Sequence, residues 1–124
     1  MPRKQSATLT EAELRIMDVV WQKGPSTVQQ VLDALGDELA YNSVLTTIRI
    51  LERKGYLGHV KDGRAHVYEP LIDRDDATRS EIRHLVSRFF RNSHRALLLN
   101  LLEDEAIEDE EVKRLRKMLE RSQP

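Results

Sequence analysis

The pair Asp62-Gly63 constrains this chain more than any other feature. It stands between two short runs, 56–61 and 64–69, that carry β-branched and aromatic residues. An Asp-Gly pair suits a two-residue type I′ turn, which needs positive φ at both positions. The spacing predicts a β-hairpin with Asp62-Gly63 as its loop. In that register His59 lies opposite His66. Val60, Ala65 and Val67 then share one face, and His59, Lys61, Arg64 and His66 the other. Pro70 closes the unit, because proline cannot donate to a ladder.

Three helices are expected before the hairpin. Residues 1–8 form a polar arm. Thr10 and Glu13 have capping-box spacing, with Leu9 and Leu14 at the positions of a hydrophobic staple. A helix over 11–23 follows, its apolar stripe being Leu14, Met17, Val20 and Trp21, and Gly24-Pro25 ends it. Ser26 is the expected cap of the second helix, with Gln29 as box partner. Val28, Val31, Leu32 and Leu35 form its stripe, and Gly36 takes the C′ position. A short polar connection over 37–40 leads to a third helix over 41–54. Val44, Ile48 and Leu51 line its buried face, and Gly55 stops it. Asn42, Ser43, Leu45, Thr46, Arg49 and Arg53 fall outside that stripe. Leu45 is apolar at an exposed position that the helix's own packing does not explain.

Helix, helix, helix, hairpin is the order of a winged helix-turn-helix, in which the third helix enters the DNA major groove and the wing reaches the backbone. The chain is close to neutral, with 20 basic and 21 acidic residues, so a globally basic nucleic-acid binder is excluded. The charge is nevertheless uneven. Within 41–64 stand Arg49, Arg53, Lys54, Lys61 and Arg64 against only Glu52 and Asp62, a net +3. Asn42 and Arg49 suit bidentate contacts to adenine and guanine edges. Ser43 and Thr46 suit phosphates or bases. Arg53, Lys61 and Arg64 suit phosphates. The candidate DNA-binding set is therefore Asn42, Ser43, Leu45, Thr46, Arg49, Arg53, Lys61 and Arg64. The bland alternative for Arg49, Arg53 and Lys54 is a solvated helix face.

The remainder reads as three helices, over 75–92, from a Ser93 cap through Leu102, and over 109–121. The middle one is apolar nearly all round. Three short helices cannot bury so many leucines alone, so a second copy of the chain is the expected partner. The candidate dimer-interface residues are Leu85, Phe89, Phe90, Leu98, Leu101, Leu102, Leu115 and Leu119. The fold class is thus mainly α with a small β-hairpin, a winged-helix DNA-binding domain over 1–72 and a helical dimerisation domain over 73–124. Such a homodimer would meet a pseudo-palindromic double-stranded operator.

Two stretches of sequence resemble the penicillinase-repressor (BlaI/MecI) family: Leu9-Thr10-Glu11-Ala12-Glu13-Leu14 with Met17 and Val20-Trp21, and Val44-Leu45-Thr46-Thr47 with Leu51-Glu52-Arg53-Lys54-Gly55-Tyr56-Leu57. The wing residues Asp62-Gly63-Arg64, Tyr68 and Pro70 fit it too. So does the tail, Leu99-Asn100-Leu101-Leu102-Glu103 with Val112, Leu115 and Leu119. The resemblance implies a dimeric transcriptional repressor, released when a sensor metalloprotease cleaves its C-terminal part. The family's scissile Asn–Phe pair falls at Asn100–Leu101, where leucine replaces phenylalanine.

Other chemistries find little support. There is no cysteine, which excludes disulfides, thiolate metal sites and cysteine nucleophiles. No Gly-rich phosphate loop, HExxH or G-x-S-x-G occurs, so no enzyme is expected. Aromatics make up 5% of the chain, too few for an aromatic-lined cofactor pocket, and no cofactor is expected. His59 and His66 fall short of the about four ligands of a closed metal site, so no metal is expected and both read as solvated wing residues. His84 and His94 read as surface or interface residues. The seven carboxylates within 103–111 suit a solvated loop and a helix N-terminal turn. No run approaches the ~20 apolar residues of a membrane span, and a cytoplasmic location is expected. The alternative function is a winged-helix module for protein–protein contact.

Overall fold

The computed structural model describes residues 8–36, 39–104 and 106–122. The expected polar arm lies outside them up to residue 7, as do residues 37 and 38 of the polar connection and 105 of the acidic stretch. The element order is α1 (Glu11–Lys23), α2 (Val28–Leu35), α3 (Tyr41–Lys54), β1 (Leu57–Asp62), β2 (Ala65–Pro70), α4 (Arg74–Phe89), α5 (His94–Leu102) and α6 (Asp109–Ser122). This is the mainly helical, winged-helix class that the sequence implies. The chain divides into two compact units, 1–82 and 83–124. No helix among the described residues is long and apolar enough to cross a membrane.

The core of the first unit is built by three helices and the base of the wing. Ile16, Met17 and Val20 of α1, Val28 and Val31 of α2, and Val44, Ile48 and Leu51 of α3 meet Tyr56, Leu57 and Tyr68. Ala77 closes it from α4. The buried side of α1 is Glu13, Ile16, Met17 and Val20, which corrects the expected stripe. Leu14 is exposed, while Leu9 packs against the core. Trp21 is half-buried, donating its Nε1–H to the Ile72 carbonyl at 2.9 Å and carrying the Arg74 guanidinium over its ring.

The Thr10–Glu13 capping box is present in both directions, at 3.1 and 2.8 Å. Glu13 does more than cap. Its carboxylate lies 2.7 Å from the Lys54 ammonium at the far end of α3, and Lys54 also donates to the Thr8 carbonyl. Lys54 is therefore no member of a solvated helix face. Burial pushes the Glu13 carboxyl up, but Lys54 and the Thr10 amide and hydroxyl outweigh it and leave it below the ordinary value of 4.5. A depressed carboxylate adds stability above its unfolded value, and that stability is lost as pH falls through the folded value. Glu13→Gln is expected to lower stability by about 1.5 kcal/mol at neutral pH, the lower end for a charge-assisted hydrogen bond. The variant is also expected to unfold with a shallower acid dependence below about pH 4.5, where the unfolded carboxylate begins to protonate. Equal acid slopes in urea titrations of the two proteins would refute the assignment.

The second helix begins one residue later than expected. Thr27 is its cap and Gln30 its box partner. Ser26 is unavailable because its backbone pairs with Tyr68 in a two-way bridge, at 2.9 and 2.8 Å, while its hydroxyl donates to the Gly24 carbonyl. A single bridge thus ties the base of the two-stranded wing to the segment before α2.

The wing turn is also displaced by one residue. Asp62 pairs with Ala65, so the loop is Gly63-Arg64, and His59 faces Tyr68 instead of His66. Among the described residues of this turn only Gly63 has positive φ, at 64°, which a type II′ turn needs at its first central position alone. Gly63 at the first loop position is the local feature that fits this register. Moving a hairpin turn by one residue moves the pairing by two, so the expected faces survive although the partners change. The inward face is that of Leu57 and Tyr68, and Val60 on the other is 52% exposed.

In the second unit α4 ends at Phe89, short of the expected 92, because Arg91 and Asn92 are left-handed, with φ of 48° and 65°. Ser93 caps α5 by accepting from the Ala96 amide at 3.0 Å. Val86 is buried, whereas Leu85, Phe89, Leu98, Leu99, Leu101 and Met118 are exposed. Phe90, Leu102, Leu115 and Leu119 are half-buried. Asn100 and Leu101 both lie exposed on α5. Leucines 98, 99, 102 and 119 line a cleft of about 630 Å³ between α5 and α6, with Arg95 and Arg116 among its other walls.

Candidate nucleic-acid interface

Helix α3 is held by its inner face and presents its outer one. Val44, Ile48 and Leu51 are buried. At about 100° per residue, Asn42, Thr46, Arg49 and Arg53 form one stripe on the opposite side. All four are exposed. Thr46 donates its hydroxyl proton to the Asn42 carbonyl at 2.8 Å, which leaves its oxygen as an acceptor toward solvent. Gly55, left-handed with φ of 88°, stops the helix and turns the chain into the wing. Lys61 and Arg64 are exposed at the wing's tip.

Between α3 and the wing lies an open cleft of about 470 Å³. Tyr41, Leu45, Arg49 and Glu52 line it from α3, His59, Arg64, His66 and Tyr68 from the wing, and Thr27 and Gln29 from the start of α2. Leu45 finds its explanation here. It is half-buried, packed against the core at the cleft wall. Ser43 sits apart, beside Arg15, Leu35 and Thr47 in a smaller pocket of about 140 Å³.

The sequence profile of the penicillinase repressor family matches residues 9–121. This chain belongs to the penicillinase repressor family. It is 29% identical over 119 residues to the penicillinase repressor of Bacillus licheniformis, covering 94% of this chain and 93% of that protein. It is 21% identical over 113 residues to the methicillin resistance regulatory protein MecI of Mammaliicoccus sciuri, covering 90% and 92%. The solution structure of the DNA-binding domain of the repressor BlaI superposes with a TM-score of 0.53 at 32% identity, over 59% of this chain and 92% of that one.

Within this family member the cleft holds contacts that sequence reasoning missed. His59 Nδ1 contacts Glu52 Oε2 across from α3 to β1. His59 and His66, diagonal rather than opposite, stack with centroids 4.6 Å apart and planes 12° from parallel. Tyr68 closes the group at 5.6 Å from His59. Burial pushes the Tyr68 phenol up, Glu52 adds to this and Arg49 opposes it, so the ring stays neutral. Among the described residues no group of three or more His, Asp or Glu side chains is arranged to hold a metal. The signal for these contacts was the wing register, which no local motif encodes.

Proposed function

We propose that this chain is a DNA-binding transcriptional repressor that reads a pseudo-palindromic operator as a homodimer, working in the cytoplasm. The observation that carries the reading is the outward stripe of Asn42, Thr46, Arg49 and Arg53, flanked by Lys61 and Arg64 on the wing. The relative whose fold the first unit shares is itself the DNA-binding domain of a repressor. Residues 1–72 would read the DNA, α3 lying in the major groove and the wing on the backbone. Residues 73–124 would pair two chains through Leu85, Phe89, Phe90, Leu98, Leu101, Leu102, Leu115 and Leu119. An apolar surface left this open needs a partner. Two-fold pairing sets half-sites about 10 bp apart or a multiple of that.

The test is fluorescence anisotropy of the full chain on DNA from upstream of its own gene, against a scrambled duplex, over a salt series. Arg53, Lys61 and Arg64 from two chains predict a log–log salt slope of about −5 on the preferred DNA, with two chains bound per duplex. Equal, weak binding to both duplexes would overturn the reading in favour of a protein-interaction module. The proposed release is cleavage at Asn100–Leu101 by a sensor metalloprotease. A cut in α5 would weaken the dimer, and binding would fall to the level of one half-site. Mass spectrometry of the chain after induction checks this, since an intact chain beside an induced target gene rules it out.

A further inference from the structure

A two-stranded ribbon is barely stable by itself and twists easily. The base of this wing is fixed by buried Leu57 and Tyr68 and by the Ser26 bridge. Among the described residues of its outer half, 59–67, none is buried. There Glu52 of α3 contacts His59, and His59 stacks on His66. Lys61 pairs with His66 in the register, and Arg64 follows in the turn. The array lies between the buried base and the cations of the tip.

We propose that Glu52 is a positioning residue for the wing, which through His59 and its stack on His66 holds Lys61 and Arg64 at a fixed spacing from the outward stripe of α3. The inference rests on the DNA-binding reading above and assigns part of its affinity to preorganisation. A tethered tip meets the DNA backbone without first being ordered, and that ordering otherwise reduces affinity.

The sign of one substitution separates this role from simple charge. Glu52 is an anion in the same cleft as Arg49 and Arg64. If it acted only through its charge, its removal would tighten binding to phosphates. Positioning gives the opposite sign for Glu52→Ala, an affinity loss of about three- to tenfold through the added ordering cost. The salt slope should also shrink by about one per chain as a tip cation disengages. Glu52→Gln keeps an acceptor for the imidazole N–H and drops the charge, so it is expected to bind at least as tightly as wild type. His59→Ala should behave like Glu52→Ala. Arg64→Ala should weaken binding less in the Glu52→Ala background than in wild type, since the cycle measures coupling.

The experiment is the anisotropy titration of the full-length variants, with thermal melts to check folding, plus ¹⁵N relaxation of the protein without DNA. Relaxation should show tip amides 61–64 near the rigid order parameter of about 0.85 in wild type, falling toward about 0.6 in Glu52→Ala. Equal tightening by Glu52→Ala and Glu52→Gln would overturn the proposal, as would unchanged tip mobility. Failure of wild type to prefer any DNA would sink the functional reading instead, while the relaxation arm still decides whether Glu52 tethers the wing.

Discussion

Ile48→Ala is expected to lower the stability of the first unit by about 3 kcal/mol, within the range for truncating a buried isoleucine. Ile48 is fully buried at the centre of the face that seats α3, between Val44 and Leu51. Alanine removes the transfer energy of three carbons and leaves a cavity in the buried cluster to which Ile48 belongs. A small unit of this kind holds only about 5–15 kcal/mol in total. The loss should appear in urea unfolding as a lower midpoint at unchanged slope. Because Arg49 is the next residue on the same helix, the looser seat should also blur contacts made by the outer stripe. A loss below about 1 kcal/mol would mean that the core collapses around the gap and that α3 is seated by its ends.

Arg49→Ala is expected to weaken binding to the preferred DNA by about 2 kcal/mol, roughly thirtyfold, and binding to scrambled DNA far less. Arg49 stands in the middle of the outward stripe, with Asn42 and Thr46 before it and Arg53 after it. An arginine there can pair bidentately with a guanine edge, a contact that carries sequence information. Arg53, near the end of the helix where the chain turns into the wing, is suited to phosphate and should affect both duplexes alike. Anisotropy on the two duplexes separates these roles. Equal losses for Arg49→Ala on both would make it a phosphate contact and move the reading of bases to Asn42 and Thr46.

What could be read from the sequence was what local chemistry decides. The Thr10–Glu13 box joins residues three apart, and Gly55 follows the last helical turn, so each is visible in a few letters. The outward stripe of α3 follows from period alone. What could not be read depended on distant partners. Ser26 and Thr27 are equally good caps, and only the pairing of Ser26 with Tyr68 decides between them. Asp62-Gly63 and Gly63-Arg64 both fit a two-residue loop, and both put Leu57 and Tyr68 on the same face, so the facial pattern does not choose between them. The Glu52–His59 contact and the diagonal histidine stack follow from that choice, so they were hidden with it. The Glu13–Lys54 pair joins the start of α1 to the end of α3, which no spacing rule reports.

The Ser26–Tyr68 bridge has a consequence for the order in which the unit comes apart. It joins segments about forty residues apart, so it forms only after the intervening chain has closed into a loop. Once formed, it links the base of the wing to the cooperative unfolding of the helical core. Amide protons of Ser26 and Tyr68 should then exchange with deuterium only when the whole unit opens, while those near Gly63 exchange through local fraying. One short hairpin would thereby belong to two folding units, slow at its root and fast at its tip.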